Sequence, residues 1–434
     1  MDIKNLYLLF CRFPVISTDT RKPVSNSIFF AIRGDKFNGN AYAVEALRNG
    51  AVYAVADDKS IAGDHRILIV DDTLSALQQL AAFHRSKLKS SIIAITGSNG
   101  KTTTKDLISK VLSRKYKVCS TQGNLNNHIG LPLTILSIKS DDRFGVVEMG
   151  ANHPGEICNL CRIAQPGYGL ITNIGRAHLE GFGSVNGVMK AKRELYEYLQ
   201  VSNGKVFVNC GDQVLMDMLG NFSGEIIRYG NGEGTLCGGY VDNTDPFLSI
   251  NFNPGNQTDN KLNIKTRMLG DFNLENILAA LSVGYYFNVD VEKMIEAVKD
   301  YIPDMLRSQI VKTKHNTLFV DAYNANPTSM LAAIRNFQKN PGENKMLVIG
   351  EMAELGESSQ AEHLALLSLL RDLNNYQVIL IGKSFFNFSI PSEFMRFPDA
   401  QSAAEWFSSN PVSNANILLK GSRIVGLEKL ISYL

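Results

Sequence analysis

The chain has 434 residues, of which 44% are hydrophobic, and this is enough for roughly two to four domains with buried cores. Its formal net charge of +2 gives no electrostatic reason to expect nucleic acid or an anionic membrane as the main partner. No apolar run is long enough for a membrane-spanning helix, and the apolar residues 6–10 lack the flanks of a signal peptide. We therefore expect a cytoplasmic protein without integral membrane association, and nothing in the sequence requires more than a monomer.

Residues 1–89 are predicted to form a small first α/β domain. Residues 27–32 and 51–55 are apolar runs typical of strands, and residues 41–49 between them indicate a helix. Residues 74–88 form an amphipathic pattern that predicts a helix leading into the next domain.

The next stretch, residues 91–104, predicts a phosphate-binding loop. A β-branched strand ends in the turn Thr96-Gly97-Ser98-Asn99-Gly100, which Lys101, Thr102 and Thr103 follow, with helical spacing from Lys105 to Tyr116. Backbone N–H groups and a helix N-terminus receive phosphates, a lysine neutralises the β- and γ-oxygens, and a threonine hydroxyl ligates Mg²⁺. Ile95 stands where the usual pattern has its first glycine, but the Lys-Thr pair at the helix start still favours phosphate binding.

Strands and helices continue to alternate along the rest of the chain, which is typical of mostly parallel sheets covered on both faces. Strands are predicted at 145–148, 169–173 and 205–209, and a helix at 270–287. Residues 220–265 are rich in Gly, Asn and Asp and are interpreted as antiparallel strands at an edge of that sheet. We predict a central domain over 90–307 and a smaller α/β domain over 308–434, the latter with strands at 318–321, 346–350, 378–382 and 417–420.

Polar residues follow several of the predicted strands, at the edge where open α/β sheets bind ligands. They are Glu148, Asn152, Asn173, His178, Asp321, Glu351 and Lys420. Each alone is equally typical of a cap or a turn, but their joint placement predicts a site, and Glu148 fits the second Mg²⁺ contact of a phosphate loop. Cys158 and Cys161 lack further ligands at zinc spacing, so we interpret them as two buried thiols one helical turn apart.

Five segments together resemble the Mur ligases, the ATP-dependent amide-forming enzymes of peptidoglycan synthesis. These segments are residues 96–102, 123–134 (GNLNNHIGLPLT), 148–157 (EMGANHPGEI), 172–184 (TNIGRAHLEGFGS) and 321–330 (DAYNANPTSM). The resemblance implies three domains: an N-terminal domain that binds the uridine diphosphate end of the substrate, a central ATPase domain, and a C-terminal Rossmann-like domain. It further implies that ATP phosphorylates a UDP-N-acetylmuramoyl-tripeptide to an acyl phosphate, which the amino group of D-alanyl-D-alanine attacks.

The resemblance also assigns roles to residues. Two Mg²⁺ ions are implied, held by Thr102, Glu148, His178 and Lys192, the last as a carbamate formed with CO₂. Without the resemblance, Lys192 is typical of a helix-surface lysine. Catalysis is assigned to Lys101, His178, Lys192 and Arg307, and ATP binding to Gly97, Ser98, Asn99, Gly100, Lys101, Thr102, Thr103, Asn276, Arg307 and Asp321. Phe272 stands where the family usually has a histidine, which leaves only Asn276 as the adenine contact of that segment.

The remaining assignments concern the two substrates. The UDP end is assigned to Thr18, Asp19, Thr20 and Arg21 and to the loop at Gly34 and Asp35, and the muramoyl-peptide to Asn124, Asn126, Asn127 and Asn152. The D-alanyl-D-alanine side is assigned to Tyr323, Asn324 and Asn326. The alternatives are a sister ligase that adds the third stem-peptide residue, a folylpolyglutamate synthase, or a nucleotide-binding scaffold without chemistry. Whether the third residue of the tripeptide is meso-diaminopimelate or lysine stays open.

Overall fold

The computed structural model describes residues 1–22, 24–34, 37–255, 261–303, 306–373 and 375–434, so Asp35 of the predicted UDP-binding loop lies outside the described residues. The first sheet consists of four parallel strands in the order β1-β2-β5-β6. The strands of this region are β1 (Val15–Ser17), β2 (Ser27–Phe30), the hairpin β3 (Arg33–Gly34) and β4 (Phe37–Asn38), β5 (Tyr53–Ala56) and β6 (Ile67–Ile69). Its helices are α1 (Ile3–Arg12), α2 (Ala43–Arg48) and α3 (Thr73–Lys87).

The second sheet contains the phosphate-binding loop and has six parallel strands in the order β12-β11-β10-β7-β9-β8. They are β7 (Ser91–Thr96), β8 (Val118–Ser120), β9 (Phe144–Glu148), β10 (Tyr168–Ile171), β11 (Lys205–Asn209) and β12 (Ile226–Tyr229). The helices on its two faces are α4 (Lys101–Ser113), α5 (Gly130–Ser137), α6 (Glu156–Ala164), α7 (Leu179–Phe182), α8 (Val185–Val201), α9 (Gln213–Leu219), α10 (Asn273–Tyr286) and α11 (Val291–Lys299). Burial on both faces explains why the central strand β7 is an almost unbroken apolar run.

The prediction for residues 220–265 was wrong in one respect. Only β12 joins the edge of the parallel sheet, and it does so in parallel. The antiparallel strands β13 (Cys237–Asn243), β14 (Ser249–Pro254) and β15 (Leu262–Lys265) form a separate three-stranded sheet. One face of this sheet buries Leu248, Ile250 and Phe252 in the same core as residues of α10, so packing rather than strand pairing connects it to the central sheet.

The third sheet has the order β16-β17-β21-β18-β19-β20, in which only β16 is antiparallel to its neighbour. Its strands are β16 (Gln309–Lys312), β17 (Thr317–Asp321), β18 (Lys345–Gly350), β19 (Tyr376–Ile381), β20 (Met395–Phe397) and β21 (Asn416–Lys420). The helices are α12 (Pro327–Lys339), α13 (Ser359–Arg371) and α14 (Ala400–Ser409). The four predicted strands are present, the edge strands β16 and β20 are additional, and the domain boundaries at 89/90 and 307/308 stay predictions.

Two further expectations can be compared with the fold. The helix after the phosphate loop begins at Lys101, earlier than the apolar spacing indicated, and ends at Ser113. Cys158 and Cys161 lie on α6 as free thiols, of which Cys161 is buried and Cys158 half-buried. None of the helices in the described part of the chain has the length and apolar character needed to cross a bilayer.

Candidate active site

The phosphate-binding loop lies between the central strand β7 and α4, and its glycines allow a conformation that other residues resist. Gly97 has a φ of +140°, and a Cβ there would lie 2.0 Å from the Thr172 hydroxyl oxygen. That hydroxyl donates a hydrogen bond to the Asn99 carbonyl oxygen (2.6 Å), and the Asn173 side chain accepts one from the Asn99 N–H (3.0 Å). The strand-end residues of β10 therefore hold the loop open above the start of α4.

The Lys101 side chain folds back over this loop. Its Nζ donates to the carbonyl oxygens of Gly97 (2.7 Å) and Ser98 (3.2 Å). Burial lowers the pKa of Lys101, and the negative charge of Glu148 acts in the opposite direction. The lysine is thus placed where a bound phosphate group could replace the two carbonyl oxygens as its partner.

Asn276, predicted to contact adenine, lies on α10 directly against the first turn of α4. Its Oδ1 accepts a hydrogen bond from the Thr104 hydroxyl (2.9 Å), and its Nδ2 donates to Asn273 (2.8 Å). A Cβ on Gly100, where φ is +78°, would lie 2.5 Å from Asn276 Oδ1. This close approach explains the second glycine of the loop.

Glu148 ends β9 next to the loop and is only 2% exposed. One carboxylate oxygen accepts a hydrogen bond from Asn126 Nδ2 (2.7 Å), while Oε2 is buried and has no hydrogen-bond partner. Thr102 is buried in the first turn of α4. A buried, unpaired carboxylate oxygen near a threonine at a helix N-terminus is the donor set that a hard divalent cation would satisfy.

Lys192 lies on α8 and is not a surface lysine, since it is 1% exposed. Its Nζ has no hydrogen-bond partner and lies 5.4 Å from the centre of the Phe182 ring. Burial, with a further contribution from the positive charge of Lys101, lowers the pKa of Lys192 to about 7.

The third sheet contributes one direct contact with the phosphate loop and two pairs of side chains beside it. Asn326 Nδ2 donates to Asn99 Oδ1 (2.8 Å). The Arg307 guanidinium lies 3.7 Å from the centre of the Tyr323 ring. The Lys420 ammonium, 2% exposed, lies 2.8 Å from a carboxylate oxygen of Asp321.

A second contact between the two sheets involves His178. This residue has a left-handed backbone (φ +53°), and its Nδ1 lies 2.6 Å from a carboxylate oxygen of Glu354. The His178 ring lowers the pKa of Glu354 below its usual value. The backbone oxygen of Glu354 also accepts a hydrogen bond from the Glu180 N–H (3.1 Å), so this segment is docked at two points.

These groups line one cavity of about 1200 Å³ that the second and third sheets share. It brings together most of the predicted site residues, namely Ser98, Asn99, Gly100, Lys101, Thr102, Thr103, Asn124, Asn126, Asn127, Glu148, Asn152, His178, Asn276, Arg307, Asp321, Tyr323, Asn324 and Asn326. Several predicted site residues are not among those that line it, including Gly97, Lys192, Thr18, Asp19, Thr20 and Arg21. Asp19 is bound to Arg21 (2.8 Å) at the end of the first sheet.

Some lining residues have no role in the sequence-based assignment. Glu354 and Lys420 stand in segments whose roles the sequence left open, and Gln78, Asn159 and Arg162 on α3 and α6 carried no motif signal at all. Glu351, expected among the strand-end site residues, instead accepts a hydrogen bond from the Ser384 N–H (2.9 Å) and supports the third domain. Among the described residues, no three His, Cys, Asp or Glu side chains form a ready-made metal cluster.

A phosphate-binding loop at the carboxyl end of a parallel sheet, covered by residues of another α/β unit, defines a nucleotide-dependent enzyme with its site between domains. Models of the Mur ligase middle domain and of the Mur ligase glutamate ligase domain match residues 95–284 and 306–423. The chain is 36% identical to the UDP-N-acetylmuramoyl-tripeptide–D-alanyl-D-alanine ligase of Bacillus subtilis, over 80% of this chain and 75% of that protein. It therefore belongs to the Mur ligase family.

Solved structures agree with this assignment. The UDP-N-acetylmuramoylalanyl-D-glutamyl-2,6-diaminopimelate–D-alanyl-D-alanyl ligase of Acinetobacter baumannii superposes with a TM-score of 0.83 at 28% identity, over 96% of this chain and 92% of that one. The MurF ligase of Thermotoga maritima, solved in complex with ADP, gives a TM-score of 0.83 at 27% identity, over 96% of both chains. The α/β fold with mostly parallel sheets is thus that of the three-domain ligases.

Proposed function

We propose that this protein joins D-alanyl-D-alanine to a UDP-N-acetylmuramoyl-tripeptide in an ATP-dependent, amide-forming reaction. The observation that carries the proposal is the hydrogen bond between Asn326 and Asn99, because it joins the segment 321–330 to the phosphate loop within one cavity. An acceptor bound at Tyr323, Asn324 and Asn326 would therefore lie next to the γ-phosphate. The relatives named for this reaction support the same conclusion.

The first step transfers the γ-phosphoryl group of ATP to the terminal carboxylate of the tripeptide. Two anions must approach each other, so positive charge at the loop is the main requirement. Lys101 exchanges its two carbonyl partners for phosphate oxygens, and the N-terminus of α4 adds its N–H groups. Arg307, Asn276 and Asp321 all line the cavity. Arg307 would contact the γ-phosphate, and Asn276 and Asp321 would contact the nucleoside.

Mg²⁺ fits the residues present on one side of the loop. Thr102 and Glu148 would hold an ion at the β- and γ-phosphates, and the buried Oε2 of Glu148 gains the partner that it lacks. His178 would help to hold a second ion if its ring gave up the contact with Glu354 and bound the metal instead. When bound, Mg²⁺ supplies charge neutralisation for the transferred phosphoryl group.

The carbamate on Lys192 is a further part of the proposal. A buried amine without a hydrogen-bond partner is costly, and its neutral form adds CO₂ to give an anionic carbamate with release of one proton. The carbamate would supply the oxygen ligand for the second Mg²⁺ that the described residues do not provide as a cluster.

Lys192→Ala tests this role. We expect turnover to be lost while ATP binding is largely retained, because Lys192 is not among the residues that line the cavity. A short carboxylate such as acetate in the buffer should restore part of the activity. Lys190→Ala, on the same helix, is the control and should have the activity of the unsubstituted protein. Full activity of Lys192→Ala without added carboxylate would exclude the carbamate.

The tripeptide substrate extends away from the loop. Asn124, Asn126, Asn127 and Asn152 would contact the muramoyl-peptide, since they line the cavity beyond Glu148. The uridine diphosphate would reach the first sheet, where Thr18, Asp19, Thr20 and Arg21 lie. Because these nucleotide-linked precursors and ATP are cytoplasmic, we also propose that location for this protein.

The decisive experiment measures phosphate release from ATP and Mg²⁺ with UDP-N-acetylmuramoyl-tripeptide, with and without D-alanyl-D-alanine. Release that requires both, with a product heavier by one dipeptide less water, is the expected result. Release with a dipeptide precursor and a single amino acid would instead assign the chain to the sister ligase that adds the third residue. No release with any pair would favour a scaffold.

A further inference from the structure

One arm of the cavity runs from the phosphate loop toward the first sheet. Its wall is formed by the start of α3, the loop 124–128 and α6. The Thr73 hydroxyl donates to the Ala31 carbonyl oxygen just after β2 (3.2 Å), and Gln78 Nε2 donates to the His128 carbonyl oxygen (3.0 Å). These contacts fix α3, which lines the arm at Leu74 and Gln78, against the end of β2 and against the loop 124–128.

Arg162, on α6, is the cation of this arm. Its Nη1 donates to Asn159 Oδ1 (3.1 Å), and no carboxylate among the described residues lies within ion-pair distance of its guanidinium. Of the other cations that line the cavity, Lys101 donates to the loop carbonyls and Lys420 pairs with Asp321. Arg307 lies against the Tyr323 ring with a buried, unpaired Nε, but it is assigned to the γ-phosphate at the other end of the site.

Neighbouring acids do not neutralise Arg162. Glu156, two turns earlier on the same helix, accepts hydrogen bonds from the N–H groups of Asn152 (2.7 Å) and His153 (3.1 Å). Its carboxylate is therefore already bound by backbone N–H groups of the turn that precedes α6. Arg162 is left as a planar donor group on the cavity wall, oriented by Asn159, and this geometry suits a carboxylate ligand.

We infer that Arg162 is a specificity-determining residue that binds a non-reacting carboxylate of the peptide substrate. The inference rests on the proposed function. A substrate anchored near the first sheet and presenting its terminal carboxylate to the phosphate loop must pass along this arm. The peptide of the Acinetobacter baumannii relative contains D-glutamyl and 2,6-diaminopimelate residues, which carry carboxylates besides the reacting one.

Two carboxylates share this chemistry: the one left free on the glutamyl residue, and the one at the far end of diaminopimelate. Three tripeptide substrates separate them. The first contains glutamyl and diaminopimelate, the second replaces diaminopimelate by lysine, and the third replaces glutamyl by isoglutaminyl. The lysine substrate lacks the far carboxylate of diaminopimelate. The isoglutaminyl substrate lacks the free carboxylate of the glutamyl residue.

The experiment measures kcat and KM of the unsubstituted protein and of Arg162→Gln with each tripeptide, at saturating ATP and D-alanyl-D-alanine. With the glutamyl-diaminopimelate substrate, we expect Arg162→Gln to raise KM roughly 10- to 100-fold with little change in kcat, as for a lost charged hydrogen bond. Arg162→Lys should restore part of the affinity. Arg193→Gln, an exposed arginine of the neighbouring α8 outside the cavity, is the matched control and should leave KM unchanged.

The substrate on which the penalty disappears identifies the carboxylate. Loss of the penalty with the lysine tripeptide assigns Arg162 to the third residue, and loss with the isoglutaminyl tripeptide assigns it to the second. An unchanged KM for Arg162→Gln, or an equal penalty with all three substrates, would overturn the inference. If the unsubstituted protein makes no product with D-alanyl-D-alanine, the proposed function fails instead.

Discussion

Thr102 has the most specific task that we assign to a single hydroxyl in the site. It is buried in the first turn of α4 and lines the same cavity as Glu148, whose Oε2 has no hydrogen-bond partner. Thr102→Ala should raise the Mg²⁺ concentration needed for half-maximal activity by roughly tenfold or more, because one ligand of the ion is removed.

Thr102→Ser is the matched variant, since it keeps the hydroxyl and loses only a methyl group. A Mg²⁺ titration of phosphate release should therefore be close to normal for the serine variant and shifted for the alanine variant. Identical titrations for the two variants would remove Thr102 from the metal site.

Single residues differ in how far the sequence could predict them. Lys101 and Thr102 were predictable because the strand, the glycine turn and the helix that place them are contiguous in the chain. The Glu354 contact with His178 and the Lys420 contact with Asp321 were not, since each pair is far apart in sequence and meets only through sheet order and domain docking. Arg162 gave no signal, because an exposed helix arginine looks the same on any surface.

At the scale of elements, the loop between β7 and α4 depends on glycine for two separate reasons. Gly97→Ala would place a side chain at a φ of +140° and would also bring its Cβ into the Thr172 hydroxyl. The strain costs on the order of 1–3 kcal/mol, and the clash moves the loop. We expect nucleotide binding, measured by calorimetry with ADP, to be lost and the thermal midpoint to fall.

Gly234→Ala separates these two effects. Gly234 also has a positive φ (+68°), but a Cβ there meets nothing within 4 Å, and the residue is not among those that line the cavity. This variant should lose stability and keep nucleotide affinity. Loss of ADP binding in Gly234→Ala as well would mean that general destabilisation explains the Gly97 variant.

The elements that the sequence predicted well are the buried parallel strands, because long apolar β-branched runs bounded by glycine have few other interpretations. The sheet β13–β15 was assigned to the wrong neighbour. The antiparallel strands were predicted correctly, but a weak alternation of apolar and polar residues does not specify which element covers the apolar face. In the structure, that face packs in one core with residues of α10, which follows later in the chain.

For the whole molecule, the active cavity depends on how the third domain docks on the central one. Arg176 forms an ion pair with Glu362 (3.0 Å), its N–H donates to the Thr328 hydroxyl (3.1 Å), and Glu354 contacts His178. Exposed ion pairs contribute little individually. The contact between Asn326 and Asn99 differs, because it reaches the phosphate loop itself.

Asn326→Asp tests whether this contact is used in turnover. Asn326 also caps α12, where its Oδ1 accepts a hydrogen bond from the Ser329 N–H (2.9 Å), and aspartate preserves that cap. Aspartate cannot donate to Asn99, and it places a negative charge beside the loop that receives phosphates. The thermal midpoint should therefore stay unchanged while kcat/KM for ATP falls about tenfold or more.

Asn326→Ser completes the test, because serine keeps the cap without the added charge and is too short to reach Asn99. Its kcat/KM should lie between those of Asn326→Asp and the unsubstituted protein, and the difference between the two variants measures the repulsion of phosphate. A parallel fall in kcat/KM and thermal midpoint would assign the effect to α12 alone. Normal kcat/KM in both variants would mean that the third domain acts on the nucleotide through other contacts. The contact between His178 and Glu354 would then be tested in the same way, by measuring kcat/KM and the thermal midpoint of each variant.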